Sequence, residues 1–402
     1  MPAELISLAE AREQVLAAVR PLAPEEVPLP ETLGRVLAED IASPHDLPPF
    51  DASAMDGFAV VAGPAAELAV VGESRAGRPA SRSLGRGEAI RISTGAQIPE
   101  GADAVIPVER VAESDGRVQV PETAAGANVR RAGEDVRSGE LVLAAGTELG
   151  PAEVAVLASL GRERVSCGAR PRVAVLVTGD ELVPPGRPLG PGQIRDSNAT
   201  ALAAQAARAG ARVELVEHVP DERDATVAAL ERALAAADVV CVSGGVSVGP
   251  HDHVKGALAS VGAEERFWGI ALKPGKPTWF GLAGPILVFG LPGNPVSAMV
   301  TFHLLARPAL RALAGAGPAD VRAQAVLDAS VRKSAAREQA VRCRLRAAGD
   351  GWHVEPTKEQ GSHVLTSMLG AGALALIPPG DGVVERGERV AVELLARGTL
   401  SS

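Results

Sequence analysis

Apolar and polar positions divide the chain into stretches of different period. Over the first forty residues Leu5, Leu8, Val15, Leu16 and Val19 fall at helical spacing, and Pro21, Pro24, Pro28 and Pro30 break the pattern up. Residues 38–42 read as a short strand, and Pro44, Pro48 and Pro49 then mark an extended linker. From Asp56 to about Val142 short apolar runs at 58–61, 68–71, 88–92, 104–107 and 118–120 are separated by glycine turns, which is the pattern of an all-β segment. Residues 144–161 return to helix: Pro151 sits where a first-turn proline is tolerated, and Val154, Leu157 and Ala158 share a face.

From Arg172 to about Gly315 strand and helix alternate. Residues 173–177 are a buried strand. Asp196, Ser197 or Asn198 can cap a helix that runs to Arg208 and is closed by Gly210. A strand at 213–217, a helix from Asp224 to about Ala236 and strands at 238–242 and 285–289 follow, and a long helix starts near Asn294. This is a doubly wound α/β domain, in which ligands bind at the carboxyl ends of the strands. Three motif-rich turns lie at such ends: 178–182, 243–249 and 290–295. Residues 321–402 read as β again, with turns at Gly349, Gly361, Gly370 and 378–382.

Composition narrows the function. A chain of 402 residues, 46% apolar, is long enough for two to four domains with sizeable cores. Aromatics are 2% with no Tyr, which disfavours a reader that stacks nucleic-acid bases. A net charge of −9 provides no global field for polyanions, so an anionic ligand needs a local cluster of Lys and Arg. Cys167, Cys241 and Cys343 form no CxxC pair, which argues against a disulfide framework or a cysteine zinc site, and Cys241 reads as a small buried apolar residue. The first ten residues lack a secretory pattern, and no apolar run reaches membrane-spanning length. The expectation is a soluble cytoplasmic protein.

Polar chemistry concentrates in the turns. Ser243-Gly244-Gly245-Val246-Ser247-Val248-Gly249 follows a buried strand; its glycines can turn sharply and present N–H groups, Ser243 and Ser247 add neutral donors, and Asp252 and Lys255 open the next helix. Such strand–Gly/Ser–helix turns hold phosphate-like anions, although the same residues also make plain turns. In Thr178-Gly179-Asp180-Glu181-Leu182 two adjacent carboxylates can hold Mg²⁺ or position water, or Asp180 can serve only to cap a turn. In Leu272-Lys273-Pro274-Gly275-Lys276-Pro277 a stiff loop presents two lysines whose proximity an anion would relieve. Gly290-Leu291-Pro292-Gly293-Asn294-Pro295 leads into a helix, where Asn294 can cap the helix or contact a ligand. The β segment adds Met55-Asp56-Gly57, Arg91 to Gly95, 101–105 and 128–136, each a polar glycine turn. His251 and His253 flank Asp252, where they can ligate a metal or stand as solvated imidazoles at a helix entry, and the second reading is favoured.

Eight ordered pieces (51–57, 91–109, 128–136, 178–182, 194–198, 243–255, 273–277 and 290–298) closely resemble the MoeA family of molybdopterin molybdenumtransferases, also seen as the E domain of gephyrin. Phe58 departs from the pattern, since many members carry Tyr there. The resemblance implies α/β plus β in a multidomain chain. Its parts would be an elongated helical domain from 1–42 and 140–168, an inserted β domain at 43–139, a doubly wound α/β molybdopterin-binding domain at 169–316 and a C-terminal β-barrel at 317–402. It also implies a homodimer whose active site lies between the α/β domain of one subunit and the β segment of the other.

The reaction implied inserts molybdenum from molybdate into adenylated molybdopterin, with hydrolysis of the phosphoanhydride and release of AMP. By resemblance Asp56, Glu181, Asp252, Lys273 and Lys276 would be catalytic. Arg91, Thr94, Arg130, Thr178, Gly179, Asp180, Ser197, Ser243, Gly244, Gly245, Ser247, Pro292, Asn294 and Pro295 would bind substrate. Asp135, Glu181, Asp221 and Asp252 would hold Mg²⁺ as cofactor. Implied partners are the two substrates, a second copy of the chain, the molybdopterin adenylyltransferase and recipient molybdoenzymes, with neither nucleic acid nor membrane. Two rivals keep the fold: an adenylyltransferase that consumes ATP, against which the β segment argues, and a dimeric scaffold that anchors a receptor. Tungstate and molybdate are not separable by sequence.

Overall fold

The computed structural model describes residues 5–246, 253–317, 322–357 and 359–395. It divides into two compact units: Met1–Ala38, Gly146–Gly150 and Arg164–Ser402 form the first, and Glu39–Ala145 with Pro151–Glu163 the second.

The first unit is built on a six-stranded sheet. Its strands are β1 (Arg172–Thr178), β2 (Arg212–Val219), β3 (Val239–Ser243), β4 (Glu264–Trp268), β5 (Trp279–Ala283) and β6 (Ile286–Leu291), in the order β2-β1-β3-β6-β5-β4. The first four in that order are parallel; β5 and β4 add on antiparallel. Helices α1 (Asn198–Arg208), α2 (Arg223–Ala236), α3 (Val254–Ser260) and α4 (Pro295–Thr301) cross between or follow the strands. Both faces of β1 are buried because helices cover both. Val173, Val175 and Val177 pack towards Leu202 and Ala206 of α1, while Ala174 and Leu176 pack towards Ala229, Leu230 and Ala233 of α2. That double cover is why β1 and β3 read as unbroken apolar runs.

The chain leaves β1 for β2 on one side and returns to β3 on the other. The carboxyl ends of β1 and β3 therefore flank the switch point of the sheet, where α/β folds open a crevice. Downstream of α4 the helix widens into a π turn at Phe302–Ala306 before α5 (Arg307–Leu313). Pro308 in the first turn of α5 lacks the N–H that a regular helix needs there. The unit ends in a closed barrel of five strands: Arg322–Leu327, Glu338–Ala348, Gly351–Pro356, Ala373–Ile377 and Arg389–Leu394. Pairing of Glu338–Ala348 with Ala373–Ile377 closes it around Ala325, Leu327, Val341, Cys343, Val354 and Val392.

The helix expected over the first forty residues is confined to Leu8–Ala18, opened by a capping box between Ser7 and Glu10. Beyond it Pro24–Pro28 forms a strand paired antiparallel with Arg164–Gly168, because the prolines that end the helix are tolerated on an edge. Likewise only Pro151–Ser159 of the 140–168 stretch is helical.

The second unit carries a six-stranded sheet in the order Ala104–Pro107, Gly57–Val60, Glu88–Ile92, Ala66–Ser74, Arg117–Val120, Ala112–Ser114. Phe58, Ile106 and Val118 fill one side of it, Ala59, Ile92 and Val105 the other. Phe58 is fully buried, so the position is one of packing. Gly57 is required by a close approach: a Cβ there would lie 1.9 Å from the carbonyl oxygen of Ile106.

Candidate functional site

The turns after β1, β3 and β6 converge on a cleft of about 620 Å³. Thr178, Gly179, Glu181, Ser197, Asp221, Ser243, Gly244, Gly245, Pro292, Asn294 and Pro295 line it, as do Arg195, Asn198, Pro277 and His363. The glycines are there for backbone reasons. Gly244 has φ +97°, and a Cβ would lie 2.7 Å from Thr178 Oγ1 and 2.8 Å from Thr178 O. Gly245 has φ +64°, and a Cβ would lie 2.4 Å from Val254 Cγ2. The turn thus folds tightly over the end of β1, in a conformation that L side chains avoid.

Side-chain hydrogen bonds fix the spacing of the turns. Asn198 donates from Nδ2 to Ser243 Oγ at 2.9 Å and to Gly293 O at 2.7 Å, and Ser243 Oγ donates to Pro292 O at 3.2 Å. Ser243 is fully buried. Its hydroxyl, expected to meet a ligand, is therefore occupied in holding β3 to β6. Asp196, with a side chain 1% exposed, accepts from the amides of Asn198 and Ala199 and so caps α1; its other oxygen lies 2.5 Å from His218 Nε2. Ser197 occupies the cap position itself without a capping bond, which leaves its hydroxyl to the cleft. Asn294 does not cap α4 through its side chain; Nδ2 donates to Ser362 Oγ at 3.1 Å, and Ser362 O accepts from the amide of Val296.

The acidic side of the cleft is Glu181 and Asp221. Asp180, expected to touch substrate, instead accepts from the amide of Asp221 at 3.1 Å and pins that loop, which is the capping alternative. Burial pushes the Asp221 carboxyl up, and the charges of Asp180 and Glu181 add to the rise. Among the described residues no three His, Cys, Asp or Glu side chains converge as a complete metal cage. Mg²⁺ keeps several waters and needs only one or two carboxylates when substrate phosphates supply the rest, so two hard oxygen donors on a half-buried wall fit that ion. Ser247 and Asp252 lie outside the described residues.

Lys273 and Lys276 are exposed on the loop whose Pro277 reaches the cleft. The loop is anchored through Lys276 O, which accepts from the amides of Ile270 and Thr278, and by Thr278 Oγ1 donating to Gly275 O at 2.7 Å. Leu272–Lys273 also pairs with Glu338–Gln339 at the barrel. The loop backbone is thus held while both ammonium groups stay in solvent.

Asp56, Arg91, Thr94, Arg130 and Asp135 belong to the second unit. Asp56 Oδ1 accepts from the amide of Thr94 at 2.8 Å, which joins two of the motif turns. Arg91, expected to supply charge to substrate, is paired with Glu113 and stacked over the Phe58 ring at 4.9 Å, so its charge is already matched. Arg130 is exposed on a two-residue strand beside Ala52. Asp135 is exposed, with its amide donating to Leu47 O.

Four contributors escaped the sequence reading. Arg195 and Asn198 sit inside a recognised motif, 194–198, but no alternation marks them: Ile194 is exposed while the polar Asp196 and Asn198 are buried. Ser362 and His363 come from a barrel turn without a motif, and only the tertiary fold brings them to α4.

Comparison with known proteins agrees with this geometry. Residues 6–161 match the MoeA N-terminal region (domain I and II), 174–312 a probable molybdopterin binding domain, and 324–395 the MoeA C-terminal region (domain IV). A molybdopterin molybdenumtransferase of Haemophilus influenzae is 38% identical over 97% of this chain and 98% of its own length. One of Bacillus subtilis is 36% identical over 92% and 90%. The crystal structure of the molybdopterin biosynthesis MoeA protein of Pyrococcus horikoshii superposes with a TM-score of 0.83 at 32% identity, covering 97% of this chain and all of that one. With matches of this identity running nearly end to end, the chain belongs to the MoeA family of molybdopterin molybdenumtransferases.

Proposed function

We propose that this chain catalyses the transfer of molybdenum from molybdate to adenylated molybdopterin, releasing AMP. The observation that carries the reading is the cleft at the switch point of the sheet, lined by the Gly244–Gly245 turn and by Glu181 and Asp221. Such a crevice suits a phosphorylated ligand. The backbone of the glycine turn, Ser197 and Arg195 would bind the phosphate-bearing part of the substrate. Glu181 and Asp221 would hold Mg²⁺, which when bound neutralises charge on the anhydride oxygens.

Lys273 and Lys276 would attract the oxyanion, since two like charges on a backbone held in place gain most from a dianion between them. Asp56 would orient the water that opens the anhydride. It belongs to the second unit, and the reading includes a homodimer in which that unit of one chain completes the cleft of its partner. Among the described residues no helix is long and apolar enough to cross a membrane.

The test is AMP release from adenylated molybdopterin by purified protein with Mg²⁺, with and without molybdate. Molybdate-dependent release with formation of active cofactor supports the transferase reading. Tight substrate binding without release overturns it in favour of a scaffold, and consumption of ATP in favour of the adenylylation step.

A further inference from the structure

A second cavity, of about 410 Å³, opens among the carboxyl-terminal end of α1, the π turn with α5, the Leu365–Met368 turn and the last barrel strand. It is separate from the cleft. Asn198 at the start of α1 faces the cleft and Arg208 at its end faces this cavity, and the 11 residues of α1 span about 16 Å.

Its walls combine two chemistries. Met299, Phe302, Met368 and Leu394 are apolar. Against them stand three guanidinium groups, Arg208, Arg307 and Arg311, and one carboxylate, Glu148, which pairs with Arg311 at 2.8 Å. In a chain of net charge −9 this is a local reversal of sign. Arg208 pairs with no carboxylate among the described residues.

Glu148 Oε2 is taken by its ion pair with Arg311, and two further polar atoms of the lining side chains have no hydrogen-bond partner: His303 Nε2 and Gln205 Oε1. His303 is 4% exposed and Gln205 is held through its Nε2, which donates to Met299 O at 3.1 Å. Burial, reinforced by the positive charges of Arg307, Arg12 and Arg208, brings His303 down to about 3, so its ring is neutral. The carboxylate behind it, Glu393, lies 3.9 Å from Nε2 and is already matched by Arg12 at 2.5 Å and Arg322 at 3.7 Å. Buried polar atoms normally have partners, and a positive recess that keeps two without them is built for a ligand.

We propose that this cavity is a second ligand site for a small organic anion, a carboxylate or phosphate carried on an apolar body. Arg208 and Arg307 meet the anionic group, His303 and Gln205 hydrogen-bond to its polar edge, and Met299, Phe302 and Met368 cover the apolar part. Ligand pockets of this size with an apolar wall and few convergent polar groups take compounds of this kind.

The experiment titrates the purified full chain with 8-anilinonaphthalene-1-sulfonate, an anionic aromatic probe, and reads its fluorescence. Saturable binding of one probe per chain is expected, weakened about tenfold by Arg208→Gln, which removes a charge-assisted hydrogen bond from an exposed side chain. Gln205→Leu should weaken it as well, with circular dichroism unchanged in both variants. Absence of saturable binding to the folded chain overturns the proposal. Equal affinity in wild type and both variants does the same, because it puts the probe elsewhere. Displacement by inorganic phosphate at micromolar concentration reduces the site to a bare anion hole and overturns the organic part. Binding that emerges only on dilution to monomers assigns the cavity to a second copy instead.

Discussion

Asn198 and Ser243 are hydrogen-bonded at 2.9 Å, and the same amide group reaches Gly293 O at 2.7 Å. The ends of β3 and β6 are already paired, with Ser243 opposite Leu291, so one side chain at the start of α1 ties that helix to both strand ends at once. The helix start forms one wall of the cleft, and its distance from the paired strand ends depends on that residue. Asn198→Asp keeps the shape and removes the donors, setting a carboxylate against a carbonyl. It should cost about 1–3 kcal/mol in urea unfolding and raise KM for adenylated molybdopterin more than it lowers kcat. A variant with wild-type stability and KM would show that the link does not shape the cleft.

Gly244→Ala tests the turn itself. At φ +97° with Thr178 Oγ1 at 2.7 Å from the added carbon, the turn must shift or the strand end must give. The expected loss is about 1–3 kcal/mol, with substrate affinity falling at least as much. Gly256→Ala is the control, because that glycine is on a helix with open space around its Cβ position. It should be neutral or stabilising. Similar effects of the two substitutions would remove the argument for a strained, ligand-facing turn.

Lys276→Ala should weaken the dependence of turnover on molybdate, and Lys276→Arg should restore much of it. The ammonium is exposed and its loop is held by backbone bonds through Lys276 O, so either substitution leaves the fold in place. Equal effects of the two variants on molybdate dependence would argue against a charge role.

The pH dependence of stability carries a signature of His303. Its folded pKa, about 3, lies below the ordinary unfolded value, so the unfolded chain takes up the proton first as pH falls. The stability held above pH 6.5 is lost progressively from there down towards 3. Between pH 7 and pH 5 the loss is about 2 kcal/mol for one such group. His303→Gln cannot titrate and should show a shallower slope over that interval. Parallel slopes for the two proteins would mean that the ring is solvated in the folded chain.

How much was legible before the structure follows from which interactions are local. The runs at 173–177 and 238–242 are apolar throughout because both faces of the central strands are covered, and that pattern survives any detail of packing. Strands β4 and β5 were missed: Glu264, Glu265 and Arg266 face outward at the sheet edge, and a register shift between Glu265 and Phe267 breaks the alternation. Gly244 and Gly245 were legible as a tight turn because a positive φ leaves a glycine in the sequence. The hydrogen-bond partners of Ser243 were not legible for the opposite reason. A serine in such a turn looks the same whether its hydroxyl faces a ligand or, as here, Asn198 and Pro292. Asp180 likewise carries no mark that its partner is the amide of Asp221, 41 residues away. His363 reaches the cleft, and Ser362 the Asn294 side chain, only through the barrel, which no local pattern encodes.

Asp56 offers the test of whether two chains share one site. Its Oδ1 accepts from the Thr94 amide at 2.8 Å, and asparagine preserves that acceptor, so Asp56→Asn should leave the melting temperature within a degree or two, as a surface substitution does. Loss of the negative charge should nonetheless lower turnover by about 100-fold or more if the carboxylate handles a proton or orients water. Near-normal turnover would sink the catalytic assignment. Glu181→Gln supplies the complementary defect on the cleft wall of the other unit. If each site draws one unit from each of two chains, mixed dimers of the two variants hold one site with both defects and one with neither. After unfolding and refolding an equimolar mixture, activity should then rise to about a quarter of wild type. If the mixture stays as inactive as its components while exchange of labelled chains is demonstrated, each cleft is completed within a single chain.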